Sequence, residues 1–508
     1  MAKAAGTDER TKTDRQAGSF NNRPAPENHC LYQVNTRVLI TDLSRQLGRP
    51  ATLDDIPDNY LDTIAGRGFD WVYFLSVWQT GDTGRQVSRS HHQWRQGFQA
   101  DLPDLKEDDI CGSGFAISDY SLNESFGKPG ELQRLRKKLA NRGLKLMLDL
   151  VPNHTAIDHP WATSNPEFYV HGDEEAIARA PQNFIKVDGK ILAHGRDPYF
   201  DGWPDTLQLD YGSPELRRAM RSQIERIAAL CDGLRCDMAM LILPDVFKNT
   251  WGIDMEPFWP DTIAAIKAGH PDFVFMAEVY WDREWDLQQQ GFNYTYDKRL
   301  YDRLRQGDAH AVREHFWADL DYQKHSARFL ENHDEPRAAS TFPPDQHKAA
   351  AVLTFLCPGL RFLHEGQFEG FKKHVSVHLN RRPDETANPE MTHFYESLMG
   401  CITLPAVRSG TWRLLECGPT WEGNWTHECF IAFQWADKGS TIIAVVNYSG
   451  NQAQCNLKIG DRADGMRSAN PLLKRRQDIP MASSSVGDDN VIFLDLAPWE
   501  YFVASLTT

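Results

Sequence analysis

A (β/α)8 barrel (TIM barrel), with a small inserted domain after its third strand and a C-terminal antiparallel β-sandwich, is the fold class that three features of the sequence predict. Short apolar runs alternate with amphipathic segments from about residue 30 to 400, the texture of strands and helices around a parallel sheet. Eight of those runs read as strands, which suits a closed barrel better than an open sheet. Beyond residue 400 the pattern changes to alternating segments such as "CFIAFQWADKGSTIIAVVNYSG", split by turn residues. The expected division is a disordered tail over 1–28, the barrel over 29–154 and 207–400, an inserted domain over 155–206 and the sandwich over 401–508.

In chain order the strands are "YQVNTRVLI", "DWVYFLSVW", "LKLMLDLV", "GLRCD", "DFVFMAEV", "GFNYTYD", "ARFLENH" and "LRFLH". Between them, "ELQRLRKKLANRG" carries Leu132, Leu135 and Leu139 on one helical stripe, with Gly143 as a stop. "SPELRRAMRSQIERIAAL" has Ser213 as N-cap, Pro214 in the first turn and Leu216, Met220, Ile224 and Ile227 on its apolar face. The stretch 155–206, rich in Pro, Asp and Gly, is too long for an ordinary loop and reads as the insertion.

At 508 residues a large core is available, and a net charge of −15 with a pI near 5.6 argues against nucleic acid or an anionic membrane as partner. A small neutral substrate is the expectation. The nine cysteines are odd in number and lack C-x-x-C spacing, which suggests neither a disulfide framework nor a zinc site. The N-terminal segment has no apolar core of a signal peptide, so a soluble, cytoplasmic protein is expected.

Chemistry in such a barrel sits at the C-terminal ends of the strands. Four runs end in polar residues: "LDLVPNH" (Asp149, Asn153, His154), "GLRCD" (Arg235, Asp237), "FMAEV" (Glu278) and "LENHDE" (Asn332, His333, Asp334). Arg235 and Asp237 stand two apart on a strand, so they point the same way and converge. Three carboxylates with one arginine and two histidines suit glycoside hydrolysis by double displacement. Arg235 would hold Asp237 ionised as the nucleophile, and Glu278 would stay protonated as the acid because Asp334 stands beside it. Asp149 and Asn153 are also open to a structural role, tying strand ends together.

These four ordered motifs resemble the α-amylase family, family 13 of the glycoside hydrolases, as do the stretches "SDYSLNESFGKPGELQRLRKKLANRGLKLMLDLVPNHTAIDHPW" and "DTLQLDYGSPELRRAM". The resemblance runs from about Cys30 to the C-terminus. It implies Asp237 as nucleophile, Glu278 as acid/base and Asp334 as the carboxylate gripping sugar hydroxyls at the transition state, with Arg235, His154 and His333 lining the −1 subsite. Two departures matter. Where many relatives carry Lys-His, with the histidine carbonyl on calcium, this chain has Met240 and Leu241, leaving Asn153 as the one recognisable calcium ligand and a less polar leaving-group side. Where end-trimming relatives read G-Y-D, it has "GFA": Phe115 can still stack on the −1 sugar, Ala116 cannot pair with an arginine, and Arg381 in "HLNRRPDE" remains a candidate to enter the pocket.

Trp203, Trp281 and Trp285 lie near predicted site loops, open to sugar stacking or to packing, and the tryptophans after residue 400 are expected to pack within the sandwich. The expected activity is retaining hydrolysis of α-glucosidic bonds, α-1,4 in the first instance, in malto-oligosaccharides or small α-glucosides, with no required cofactor. An α-glucan transglycosylase with the same catalytic residues is the alternative. A barrel that only binds sugar or serves as a scaffold would have been favoured by loss of a carboxylate, and all three are present.

Overall fold

The computed structural model describes residues 28–459, 468–474 and 491–507; the tail expected over 1–28 lies, except for Asn28, outside the described residues. Eight parallel strands close a barrel: β1 (Cys30–Asn35), β2 (Trp71–Leu75), β3 (Lys145–Leu150), β4 (Gly233–Cys236), β5 (Val274–Ala277), β6 (Tyr294–Tyr296), β7 (Ser326–Arg328) and β8 (Leu360–His364). Each strand pairs with its sequence neighbours and β8 closes on β1. The strands are buried on both faces, β2 and β8 at every residue, which is why they read as continuous apolar runs and not as alternating ones. Inside, the rings of Tyr73 and Tyr296 meet Phe362 at 6.4 and 5.8 Å.

The first predicted strand was drawn too long. "TRVLI" belongs to helix α1 (Thr36–Leu47), because Asn35 ends β1 and its side chain accepts a hydrogen bond from the Val38 N–H at 3.3 Å. A cap that satisfies a free helix N–H overrides the strand propensity of Val38 and Ile40. Helices α2 (Glu131–Ala140) and α3 (Pro214–Ala228) bury the expected leucine and isoleucine stripes, and Ser213 caps α3 through the Leu216 N–H.

After β3 the chain leaves the barrel along His154–Ala156 and returns antiparallel to it along Thr206–Gln208, with a hairpin of Phe184–Val187 and Lys190–Ala193 between. Behind the barrel lie a five-stranded and a three-stranded antiparallel sheet. Val445, Phe502, Cys455 and Leu457 are among the side chains filling the core between them. Trp435 donates to the Leu356 carbonyl at 2.7 Å and ties this unit to the barrel. Trp412 and Trp435 are buried, as expected, but Trp421 and Trp425 are exposed on a loop. No helix among the described residues is long and apolar enough to cross a membrane.

Candidate active site

One arginine organises the barrel mouth. Arg235, fully buried, pairs across the sheet with Asp149 of β3 and Met276 of β5. Its Nη1 donates to Asp237 Oδ1 at 2.7 Å, and its Nη2 lies 2.8 Å from Glu278 Oε2 and 3.7 Å from Asp334 Oδ2. Its Nε donates to the Tyr296 hydroxyl at 3.2 Å, and Phe115 and Tyr296 sandwich the guanidinium at 5.1 and 5.7 Å. A planar five-donor cation is the one side chain able to hold three carboxylates at once from a dry site.

The carboxylates differ in surroundings. Asp237 Oδ2 has no hydrogen-bond partner among the described residues, which frees it to face a ligand. Burial pushes the Asp237 carboxyl up to about 6, with Arg235 pulling the other way. Arg235 alone was expected to keep it low, and desolvation outweighs that attraction. Glu278 accepts from the Met238 N–H and from the Tyr280 hydroxyl, both at 2.8 Å. Burial first, then the charges of Asp237 and Asp334, raises it to about 8 against Arg235. Asp334 is the open member of the set, its side chain 41% exposed.

His333 is fixed in tautomer. The Gln33 amide donates to its Nδ1 at 2.8 Å, so the proton sits on Nε2, 3.1 Å from Asp334 Oδ2. Burial and the Arg235 charge hold the ring neutral. Phe115 stacks on it at 5.3 Å. Three buried donors here, Arg235 Nη2, Asn332 Nδ2 and His333 Nε2, have no protein partner in line for a hydrogen bond. Buried donors are rarely left so, and together they present a hydroxyl-binding surface.

Asp149 has a purely architectural place. It accepts from the Tyr73 hydroxyl and from the Ser76 N–H at 2.7 Å, and its carbonyl accepts from Trp78 Nε1 at 2.8 Å. Ser76, Met238, Trp281 and Asp282 have φ of 62°, 41°, 62° and 60°. Such left-handed non-glycine residues at the ends of β2, β4 and β5 mark strain concentrated around one site.

His154 packs its ring 5.1 Å from Trp203, has Asn153 as its polar neighbour and is kept neutral by burial. Asn153, the expected calcium ligand, is engaged by Gln208. Its side-chain amide is paired both ways with that of buried Gln208, at 3.0 and 3.2 Å, and Gln208 Nε2 also donates toward the Asn153 carbonyl at 3.0 Å. The described residues form no cluster of three His, Cys, Asp or Glu side chains able to hold a metal. Met240 and Leu241, expected beside the leaving group, are buried in the core.

Arg381 is not in the pocket among the carboxylates. It donates to both oxygens of Asp109 at 2.8 and 2.7 Å and to Asp104 at 3.0 Å. This bond joins the excursion after β2 to the loop after β8, an alternative to the missing pair at Ala116. The two segments also bridge at Ile110 and Leu379 and share a small core with Phe98. The clamp reaches the site through His374, whose Nε2 donates to the His333 carbonyl at 2.8 Å.

Sequence reasoning missed Gln33, Tyr280, Tyr296 and His374. Tyr280 follows Glu278 by two residues, the spacing that linked Arg235 to Asp237, so that signal was available; the other three are brought in by the fold.

The family model for the α-amylase catalytic domain matches residues 103–400. α-Amylase 3 of Dictyoglomus thermophilum is 24% identical over 300 residues, covering 54% of this chain and 55% of that protein. A 4-α-glucanotransferase of Thermotoga maritima is 23% identical over 297 residues, covering 52% and 62%. The chain thus spans about half the length of the curated relatives it matches. The crystal structure of a debranching enzyme from Nostoc punctiforme superposes with a TM-score of 0.66 over 95% of this chain and 98% of that one, at 16% identity, a likeness of fold. With the family model covering more than half of its length, and the fold and barrel-mouth carboxylates in agreement, the chain belongs to the α-amylase family.

Proposed function

We propose that the protein is a retaining α-glucosidase that removes glucosyl units from the non-reducing ends of short α-1,4-linked glucans by double displacement, in the cytoplasm and without a metal. The observation that carries the reading is the sharing of one guanidinium by Asp237 and Glu278, at 2.7 and 2.8 Å. Two carboxylates so held suit the short separation of roughly 5 Å used in retention, with no water between them. Asp237 Oδ2 attacks the anomeric carbon as the glycosidic C–O bond breaks, and the departing oxygen takes the proton of Glu278. Water then gives one of its own protons to the Glu278 carboxylate while its oxygen attacks the same carbon and releases Asp237. Asp334, His333 and Asn332 take the sugar hydroxyls. Nine unpaired cysteines, seven of them buried, fit a reducing compartment.

Attack on chain ends follows from where the leaving group must lie. It sits beside the acid on β5, so the retained sugar extends toward the opposite side of the ring, β1 with β8 and β2 flanking it. The Arg381–Asp109 clamp joins the segments that follow β2 and β8, the strands flanking that side, and this supports a site closed there. The leaving-group side keeps the exposed aromatics Trp281 and Tyr199, 5.1 Å apart. The test is a product time course from maltoheptaose with a chelator present. Glucose of α form from the earliest points, with the parent shortened stepwise, supports the proposal. Early mid-length products count against end attack, lengthened chains favour the transglycosylase, and loss of activity to the chelator restores a metal.

The carboxyl values set a pH profile. Asp237 must be ionised, so kcat/KM falls as pH drops through about 6. Glu278 must carry its proton, so it falls again as pH rises through about 8. A bell between those limbs is the expected curve. Replacing Glu278 with Gln should abolish the alkaline limb for substrates whose leaving group needs no proton; a limb that survives this change would assign it to another group.

A further inference from the structure

Outside the barrel mouth, a cavity of about 610 Å3 lies among the segments that follow β5 and β6. It shares no lining residue with the Arg235 cluster. Trp285 and Trp317 line it while 46% and 62% exposed, and Tyr322 lies 6.4 Å from Trp285. Large indole faces left in water at a concave site are a cost that a ligand removes. The polar part of the lining includes Glu284, Asp319 and Arg303, with Asp282, Arg299 and Glu314 beside them.

Glu284 is the second observation. It is 94% buried, from a relative exposure of 6%, and no cation forms an ion pair with it among the described residues. Burial, followed by the nearby charges of Asp297 and Asp282, raises its carboxyl to about 7. The neighbouring cation, Arg299, is engaged with Asp282 at the cavity's edge. A buried carboxyl with no cation to balance it is unfavourable unless further donors reach it, and sugar hydroxyls would supply them.

We propose that this cavity is a second saccharide site, which holds a short run of α-glucose units with the sugar faces on Trp285 and Trp317 and their hydroxyls on Glu284, Asp319 and Arg303. A pyranose ring offers a C–H face to an aromatic plane and a rim of groups that both donate and accept, the combination this lining answers. The cavity size falls within the roughly 300–1,000 Å3 of small-ligand pockets. The proposal rests on the reading that α-glucans are the ligands of this chain, and its test keeps the two apart.

The full chain carrying Asp237→Asn is titrated with maltoheptaose by calorimetry, alone and with Trp317→Ala or Trp285→Ala added. Two classes of site are expected, one of them weakened about tenfold or more by either tryptophan change, the size of one lost aromatic contact. In the otherwise wild-type chain, Trp317→Ala should leave kcat/KM on a short aryl α-glucoside within about twofold while lowering it on long glucans. Trp317→Phe should recover most of the binding, which a folding defect would not allow. Tryptophan-dependent binding in a protein that turns over no α-glucoside would uphold this site and sink the proposed activity. Binding unchanged by both tryptophan substitutions overturns the second site, as does a Trp317→Ala protein that changes from dimer to monomer in sedimentation without any loss of sugar binding.

Discussion

Replacing Asp237 with Asn is expected to cut turnover by about 10⁴-fold or more, some 5 kcal/mol of barrier, with the fold intact. The amide has nearly the shape of the carboxylate, and its carbonyl can still accept from Arg235, so Arg235 keeps Glu278 beside it at 2.8 Å. What disappears is the anionic Oδ2, the oxygen with no protein partner among the described residues. Substrate binding should survive, since Asp334, His333 and Asn332 remain. Kinetics with kcat collapsed and Kd little changed are therefore the signature. A variant that kept a tenth of its activity would show that Asp237 only positions, and the nucleophile would have to be sought elsewhere.

The second large effect concerns Arg235. Arg235→Met keeps much of the volume and removes the cation that, alone among the described residues, touches Asp237, Glu278 and Asp334 together. Breaking a buried ion pair by removing one partner costs about 3–5 kcal/mol, because the other charges stay behind without compensation. The stranded carboxyls can escape by binding protons. Their folded-state values, already raised by burial, would rise further, so the stability they retain is present at low pH and lost as pH climbs through those values. The destabilisation should consequently be smaller at pH 5 than at pH 8 in equilibrium unfolding. Equal losses at both would mean that packing around the guanidinium, against Phe115 and Tyr296, matters more than its charge.

Much of this site was legible because barrel geometry turns sequence position into spatial position. A polar residue that ends a buried apolar strand must stand at the mouth, and residues two apart must face the same way, which collected Arg235, Asp237, Glu278 and Asp334 from three short motifs. The illegible part lies in contacts that only closure of the ring creates. Gln33 sets the tautomer of His333 from 300 residues away, and Arg381 finds Asp109 across 272. No local pattern marks either pair. The overlong first strand has the opposite origin: Val38, Leu39 and Ile40 look extended by composition, and one hydrogen bond from the Val38 N–H to the Asn35 side chain decides otherwise. Gln208 is a further case of distant pairing, since its amide pairs with the Asn153 side chain from 55 residues away and no local pattern marks it.

The nucleophile's identity is tested most directly by trapping. Incubation with a 5-fluoro-α-glucosyl fluoride, digestion and mass analysis should place one fluoroglucosyl group, in ester linkage, on the peptide containing Asp237, with the Asp237→Asn protein unlabelled. Labelling at Glu278 or Asp334, or inactivation without a covalent adduct, would contradict the double displacement assigned to this barrel mouth.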